Sequence, residues 1–168
     1  LQPLSTEYDV RRLTEADIPD VYRLCLANRR YYRYAKMEPT PQNLTEIISA
    51  RPEGTAPENK HFVGFYDSEG RLVAILDLIT HYPEMGSAFV GWFMVDAALQ
   101  GQGIGSRIFA DIRAALAADG YRYIALGVIL ENSEAIAFWK KQGFAFTGRE
   151  TKQERFTVAV MGRTIGTA

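Results

Sequence analysis

"VDAALQGQGIGSRIF", Val95–Phe109, places glycines at positions 101, 103 and 105 and runs at once into an amphipathic segment. A helix N-terminus carries up to four N–H groups without intrahelical partners, and a partial positive charge. Glycines ahead of it remove the Cβ atoms that would keep an anion away from the main chain. Gly101, Gln102, Gly103, Ile104, Gly105 and Ser106 therefore read as a cradle for phosphate oxygens. A glycine-rich turn that only lets helix and strand pack closely fits the same residues. Two common nucleotide motifs do not. The G-x-G-x-x-G spacing needs a further glycine at Ser106 or at Ile108, and a P-loop ends in Gly-Lys-Ser/Thr where this stretch has no lysine.

Outward from the loop, the pattern on both sides is regular. Ile104, Ile108, Ile112 and Leu116 recur every four residues, the apolar stripe of a helix over Ile104–Ala118, with Gly120 placed to end it in a left-handed cap. Upstream, "HFVGFYD", "LVAILDLITHY" and "SAFVGWFMV" (Ser87–Val95) read as an antiparallel meander, with Gly70 in its first turn. Downstream, "YRYIALGVIL" is a strand. "NSEAIAFWKKQ" is a helix capped by Asn132 or Ser133 and stopped at Gly143, and "GFAFTGRETKQ" and "RFTVAVMGR" are a final strand pair. At the start, "YDVRRL" is a short strand and Thr14, with Asp17 three residues on, caps a helix over Ile18–Arg33 that points Val21, Leu24, Cys25 and Tyr32 inward. "MEPTP" ends it, a shorter helix spans Gln42–Ala50, and Arg51–Asn59 is a loop. The predicted order is β-α-α-β-β-β-α-β-α-β-β. It describes one α/β domain over residues 1–168, built on a mixed, mostly antiparallel sheet flanked by helices.

Composition narrows the function. The 168 residues are 47% hydrophobic, and 19 basic side chains against 20 acidic ones leave a net charge of -1. That balance argues against a general nucleic-acid binder and against a polybasic membrane anchor. No apolar stretch approaches the ~18 residues of a membrane span, and no charged-then-apolar leader opens the chain, so the expected compartment is the cytoplasm. Cys25 is the one cysteine, which excludes an intramolecular disulfide, and with only His61 and His81 a zinc site is not expected.

The loop "QGQGIG", Gln100–Gly105, resembles the Gln/Arg-x-x-Gly-x-Gly/Ala signature of the GNAT family of N-acetyltransferases. "FMVDAAL" is similar to that family's fourth strand and its approach to the loop. "ENSEAIAFWKKQGF" resembles its Asn-x-x-Ala-x-x-Phe-aromatic-x-x-x-Gly-Phe segment at Asn132, Ala135, Phe138, Gly143 and Phe144. The element order agrees from about Tyr8 onward. The resemblance implies acetyl-CoA as acetyl donor and no metal. Main-chain N–H groups of Gln102, Gly103, Gly105 and their neighbours would hold its pyrophosphate. The main chain of Met94 and Val95 would pair with the pantetheine arm, between strands that splay apart. Asn132 and Phe138 would line the walls. The reaction implied is direct attack of a primary amine, small-molecule or peptide, on the thioester in a ternary complex.

Such a transfer has two proton problems. A lysine-like ammonium is neutral in roughly one molecule in a thousand at pH 7, so a base or a water chain must take its proton. The leaving thiolate is easier, with a thiol pKa of about 8.5. Many members of the family place a tyrosine acid where this chain has Trp139, whose indole N–H is no useful acid at neutral pH. Tyr121, Tyr123 or another tyrosine would have to substitute, or water would serve, and Trp139 itself is expected to pack. Asp77, in "LVAILDLIT", shares strand parity with apolar residues, where a carboxylate is costly unless paired or used. It is the first candidate base, against a structural aspartate satisfied by a partner. Glu84, in "HYPEMG", is the second, as the rim of an acceptor pocket, against an exposed turn residue. "NRRYYRY" offers Asn28, Tyr31 and Tyr32 to an acceptor pocket and Arg29, Arg30 and Arg33 to an anionic acceptor. A plain amphipathic helix accounts for the same residues. Two readings stand from different classes: an acetyl-CoA-dependent N-acetyltransferase, and a non-catalytic acyl-CoA sensor or interaction domain on the same fold. The apolar final strands suit a homodimer.

Overall fold

The computed structural model describes residues 1–166, so the last two positions of the expected domain lie outside the described residues. Strands β1 (Asp9–Arg12), β2 (Lys60–Tyr66), β3 (Leu72–Thr80), β4 (Ser87–Val95), β5 (Tyr123–Ile129), β6 (Ala145–Lys152) and β7 (Thr157–Thr164) form one sheet. Its order is β1-β2-β3-β4-β5-β7-β6. Every neighbouring pair is antiparallel except β4 and β5, which are parallel because the helix between them carries the chain back across the sheet. The expected mixed, mostly antiparallel sheet is the one found.

Helices cover both faces. Helix α4 (Ile104–Ala118) buries Ile104, Ile108, Ile112 and Leu116 on one face, with Trp139 of α5 (Ser133–Lys141) beside it. The other face is covered by α1 (Ile18–Ala27), α2 (Arg29–Ala35) and α3 (Pro41–Ser49), through Val21, Leu24, Cys25, Tyr32 and Leu44. Gly70, Gly120 and Gly143 all take positive φ, as turn and cap positions require. Among the described residues no helix is long and apolar enough to cross a membrane.

The single helix expected over Ile18–Arg33 is instead two, so three helices rather than two separate β1 from β2. The break is at Asn28. Its side-chain Nδ2 donates to the Leu24 carbonyl at 2.9 Å, the partner its backbone N–H would have in a continuous helix. The backbone N–H bonds Cys25 O instead, and ψ swings to 52°. Asparagine competes with its own main chain, and periodicity carries no trace of that competition.

Candidate active site

The sheet opens in one place. Ser87–Val90 of β4 pairs with Tyr123–Leu126 of β5, and beyond Val90 and Leu126 the two strands part. A bulge begins the separation. Asp77 pairs with Trp92 but Leu78 pairs with Val90, so Gly91 is an extra residue in β4. The phase of the ladders then decides which main chain lines the gap. Asp96 N–H donates to Val73 O at 2.8 Å, so Met94 and Trp92 are turned toward β3 and Phe93 and Val95 face the gap. On the far side, Leu130 N–H donates to Thr157 O at 2.9 Å, which turns Val128 toward β7 and leaves Gly127 and Ile129 facing in. Of the two residues expected to line the gap, Val95 thus faces it and Met94 faces β3. Two consecutive residues of a strand cannot present their main chain to the same neighbour, and Phe93 takes the position.

At the mouth of the gap lies the glycine loop. Gly101 and Gly103 have φ of 77°. The first bond of α4 from the loop is Arg107 N–H to Gly103 O at 3.1 Å. Among the described residues, the six N–H groups of Gly101–Ser106 make no other hydrogen bond to main chain or side chain. Nothing lies within 4 Å of where a Cβ on Gly101 would stand. At Gly105 that position is 3.4 Å from both Val95 and Phe138, so the helix start sits in contact with the strand end and with α5. Arg107 adds a cation, its Nη1 3.7 Å from the Cβ position of Gly103. Six open N–H groups, a helix start and an arginine suit a diphosphate. The cradle and the gap fit the acetyl-CoA that the sequence motif implies.

Gln100 and Asn28 close the upper end. Gln100 Nε2 donates to Val95 O at 2.9 Å and to Asn28 Oδ1 at 2.6 Å, and Asn28 Nδ2 reaches Val95 O at 3.3 Å. Asn28 is only 6% exposed and its amide is engaged at both ends, so its place is the α1–α2 junction rather than an open pocket. Asn132 Oδ1 caps α5 by accepting from Ala135 N at 3.1 Å, and Phe138 stacks on Phe93 at 6.2 Å. Trp139 is buried among Phe93, Phe109, Phe138 and Phe144, with centroids 4.9–6.0 Å away. It packs, as expected.

The sequence profile of the acetyltransferase (GNAT) family matches residues 21–144, from α1 through α5. The chain belongs to that family. No curated protein matches it significantly. Among solved structures, an acetyltransferase from Thermus thermophilus is similar, at 24% identity and TM-score 0.73 over 93% of this chain and 96% of that one. The spermidine N-acetyltransferase of Vibrio cholerae, in complex with CoA and spermine, is similar at 18% identity and TM-score 0.71 over 96% and 97%. The ribosomal-protein-S18-alanine N-acetyltransferase of Escherichia coli is similar at 18% identity and TM-score 0.67, over 95% of each chain. At these identities the likeness is one of fold. The chain is a GNAT-type N-acetyltransferase, and enzymes of this family use acetyl-CoA.

On the α1–α3 face of the gap, the GNAT sheet carries one buried ion pair. Asp77 Oδ1 is 2.7 Å from Lys60 Nζ, with side chains 14% and 2% exposed. Burial raises the Asp77 carboxyl above the ordinary carboxylate range, against the opposing pull of Lys60. The carboxylate reaches the bulge, where a Cβ on Gly91 would lie 2.8 Å from Asp77 Oδ2. Trp92, opposite Asp77, buries an indole N–H with no partner among the described residues. Tyr31 lies at 6.2 Å from the Trp92 ring, its hydroxyl pushed up to about 12 chiefly by burial. Tyr32 does not join it: it packs into the core beside Cys25.

Glu84 is far from this centre. It sits in the β3–β4 turn, where its carbonyl accepts from Ser87 N, at the end of β4 opposite the gap. Eight residues of strand separate Ser87 from Val95, roughly 26 Å at the usual rise. His81, in the same turn, bonds Tyr121 OH through Nε2 at 3.2 Å, and Tyr123 lies over Gly162. Neither of those tyrosines is near the open end. Phe93, Gly127, Ile129, Arg107 and Lys60 belong to this candidate site by position and were not named by the sequence reading. Only strand phase would have found the first three.

Proposed function

We propose that this chain binds acetyl-CoA in the β4–β5 gap and transfers its acetyl group to a primary amine by direct attack in a ternary complex. The observation that carries this reading is the six-N–H cradle opening onto a gap where β5 leaves the main chain of Phe93 and the N–H of Val95 without a strand partner, the Val95 carbonyl being held by Gln100 and Asn28. When bound, acetyl-CoA supplies an activated thioester. The N–H groups of Gly101–Ser106, with Arg107 beside them, hold the pyrophosphate. Phe93 and Ile129, with the N–H of Val95, offer strand-like pairing to the pantetheine amides, and a main-chain N–H of β4 polarises the acetyl carbonyl. Asn132 and Phe138 wall the arm.

Asp77 receives the ammonium proton of the acceptor, through water. Its raised pKa makes it a stronger proton acceptor than a surface aspartate, and Lys60 holds the carboxylate in place. Tyr31 borders the amine side and keeps its proton at neutral pH. Positioning of the two reactants supplies the main rate gain. The acceptor is a small-molecule or peptide amine, by analogy with the spermidine and ribosomal-protein acetyltransferases of the same fold.

Calorimetric titration with acetyl-CoA, CoA, ATP and NAD tests the donor. Micromolar binding of acetyl-CoA and CoA alone is expected; a folded protein indifferent to CoA would overturn the reading. Turnover of acetyl-CoA across an amine panel then tests the transfer itself, and binding without turnover of any amine would count against it.

A further inference from the structure

Helix α2 has two working faces. Tyr31 turns toward Trp92 and the gap, and Arg30 reaches Glu134 of α5 at 2.7 Å. The opposite face carries Arg29, Tyr32, Arg33 and Lys36 at helical spacing, and these line a cavity of about 700 Å³ together with Cys25, Leu26, Met37, Glu38 and Pro39. The size falls in the range of small-molecule sites.

Its chemistry is divided by depth. Cys25, Tyr32 and Pro39 are buried and form an apolar floor. Burial pushes the Cys25 thiol up to about 11, so the floor carries no charge at neutral pH. The rim is cationic: Arg29, Arg33 and Lys36 against one acid, Glu38. Arg29 and Arg33 are four residues apart on one helix face, and Arg33 and Lys36 three apart, spacings at which like charges repel. Lys36 finds Glu131 at 3.6 Å. Among the described residues, neither Arg29 nor Arg33 makes an ion pair. Arg155 adds a further cation at this edge, donating to the Lys36 carbonyl at 3.3 Å. Two unneutralised guanidinium groups at the mouth of an apolar-floored cavity lack a counter-charge from the protein itself.

We propose that this cavity is a second ligand site, for a small molecule bearing a carboxylate or phosphate group on a short apolar body. Arg29 and Arg33 grip the anionic group with their planar donor forks, and the body rests on Tyr32 and Met37. The site is separate from the β4–β5 gap, with which it shares no residue.

The test uses protein saturated with CoA, so that the glycine loop is occupied, with CoA affinity read separately by calorimetry. Inorganic phosphate and citrate are titrated in turn at constant ionic strength, while backbone amide and arginine Nε–H shifts are followed by NMR. Saturable shifts confined to residues 25–39 with either probe are expected. The double variant Arg29→Gln, Arg33→Gln should weaken that binding at least tenfold and leave CoA affinity unchanged. Linear shifts matched by sodium chloride, or saturation unaltered in the double variant, would overturn the proposal. If CoA itself does not bind, the same titration on free protein still reads the shifts at residues 25–39.

Discussion

The two sides of the β4–β5 gap are made of different material. On the α4 side the contacts are main chain: the N–H groups of Gly101–Ser106, with three glycines keeping side chains away. On the α1–α3 side they are side chains: Asp77 on Lys60, Tyr31 on Trp92, Asn28 on Gln100. Main-chain donors are the same in any sequence, so that half suits a ligand common to a family. Side chains can differ from chain to chain, so the other half suits the partner that distinguishes one member from the next. The ion pair shows what that half demands, because a charge buried there needs its partner.

The harshest way to break this contrast is Lys60→Met. It strands the Asp77 carboxylate in a buried site and should cost about 3–5 kcal/mol in chemical denaturation. Lys60→Met with Asp77→Leu should recover much of that loss. A single variant as stable as the parent would show that the pair does not hold this side together. Next in size is Gly103→Glu, which puts bulk and negative charge at a φ of 77° in the cradle. Acetyl-CoA affinity should fall about a hundredfold by calorimetry, near 2.7 kcal/mol, while the circular dichroism spectrum is kept. Asn28→Ala sharpens the comparison, because Asn28 ties the two sides together. Losing its bonds to the Leu24 and Val95 carbonyls should cost about 1–2 kcal/mol and loosen α2, seen as faster amide exchange over residues 29–35.

One effect is absent at neutral pH and enters only in alkali. Cys25 holds its proton to about pH 11 in the folded protein, against 9.0 for the ordinary thiol. The folded state therefore binds more protons than the unfolded chain between those values. Its stabilisation is full below about pH 9 and is lost as pH rises toward 11, by about 1.4 kcal/mol for each pH unit. Cys25→Ala should flatten that part of the denaturation-versus-pH curve, whatever it does to the level.

Local signals carried the glycine loop, the α4 stripe and the succession of strands along the chain, because each rests on residues near one another in the chain. Asn132, Gly120 and Gly143 sit at the element ends expected of them for the same reason, whereas Thr14 caps the 3-10 turn Glu15–Asp17 that leads into α1, whose own cap position is Asp17. The α1–α2 break at Asn28 was illegible because it depends on a side chain bonding its own helix and a strand 67 residues away. Lys60, absent from the sequence reading, meets Asp77 only through pairing of β2 with β3. Glu84 stood as the second candidate base behind Asp77, only seven residues away, and the direction of β3 and β4 sends it to the far end of the sheet.

By itself, then, the sequence determined the family, the element order apart from the α1–α2 break, and the glycine loop ahead of α4, since backbone conformation and periodicity are set within a few residues. The tertiary structure alone decided which main chain faces the gap, which charges meet and which side of α2 looks where. Those follow from strand phase and from contacts between residues far apart in the chain, and neither is written in any local pattern.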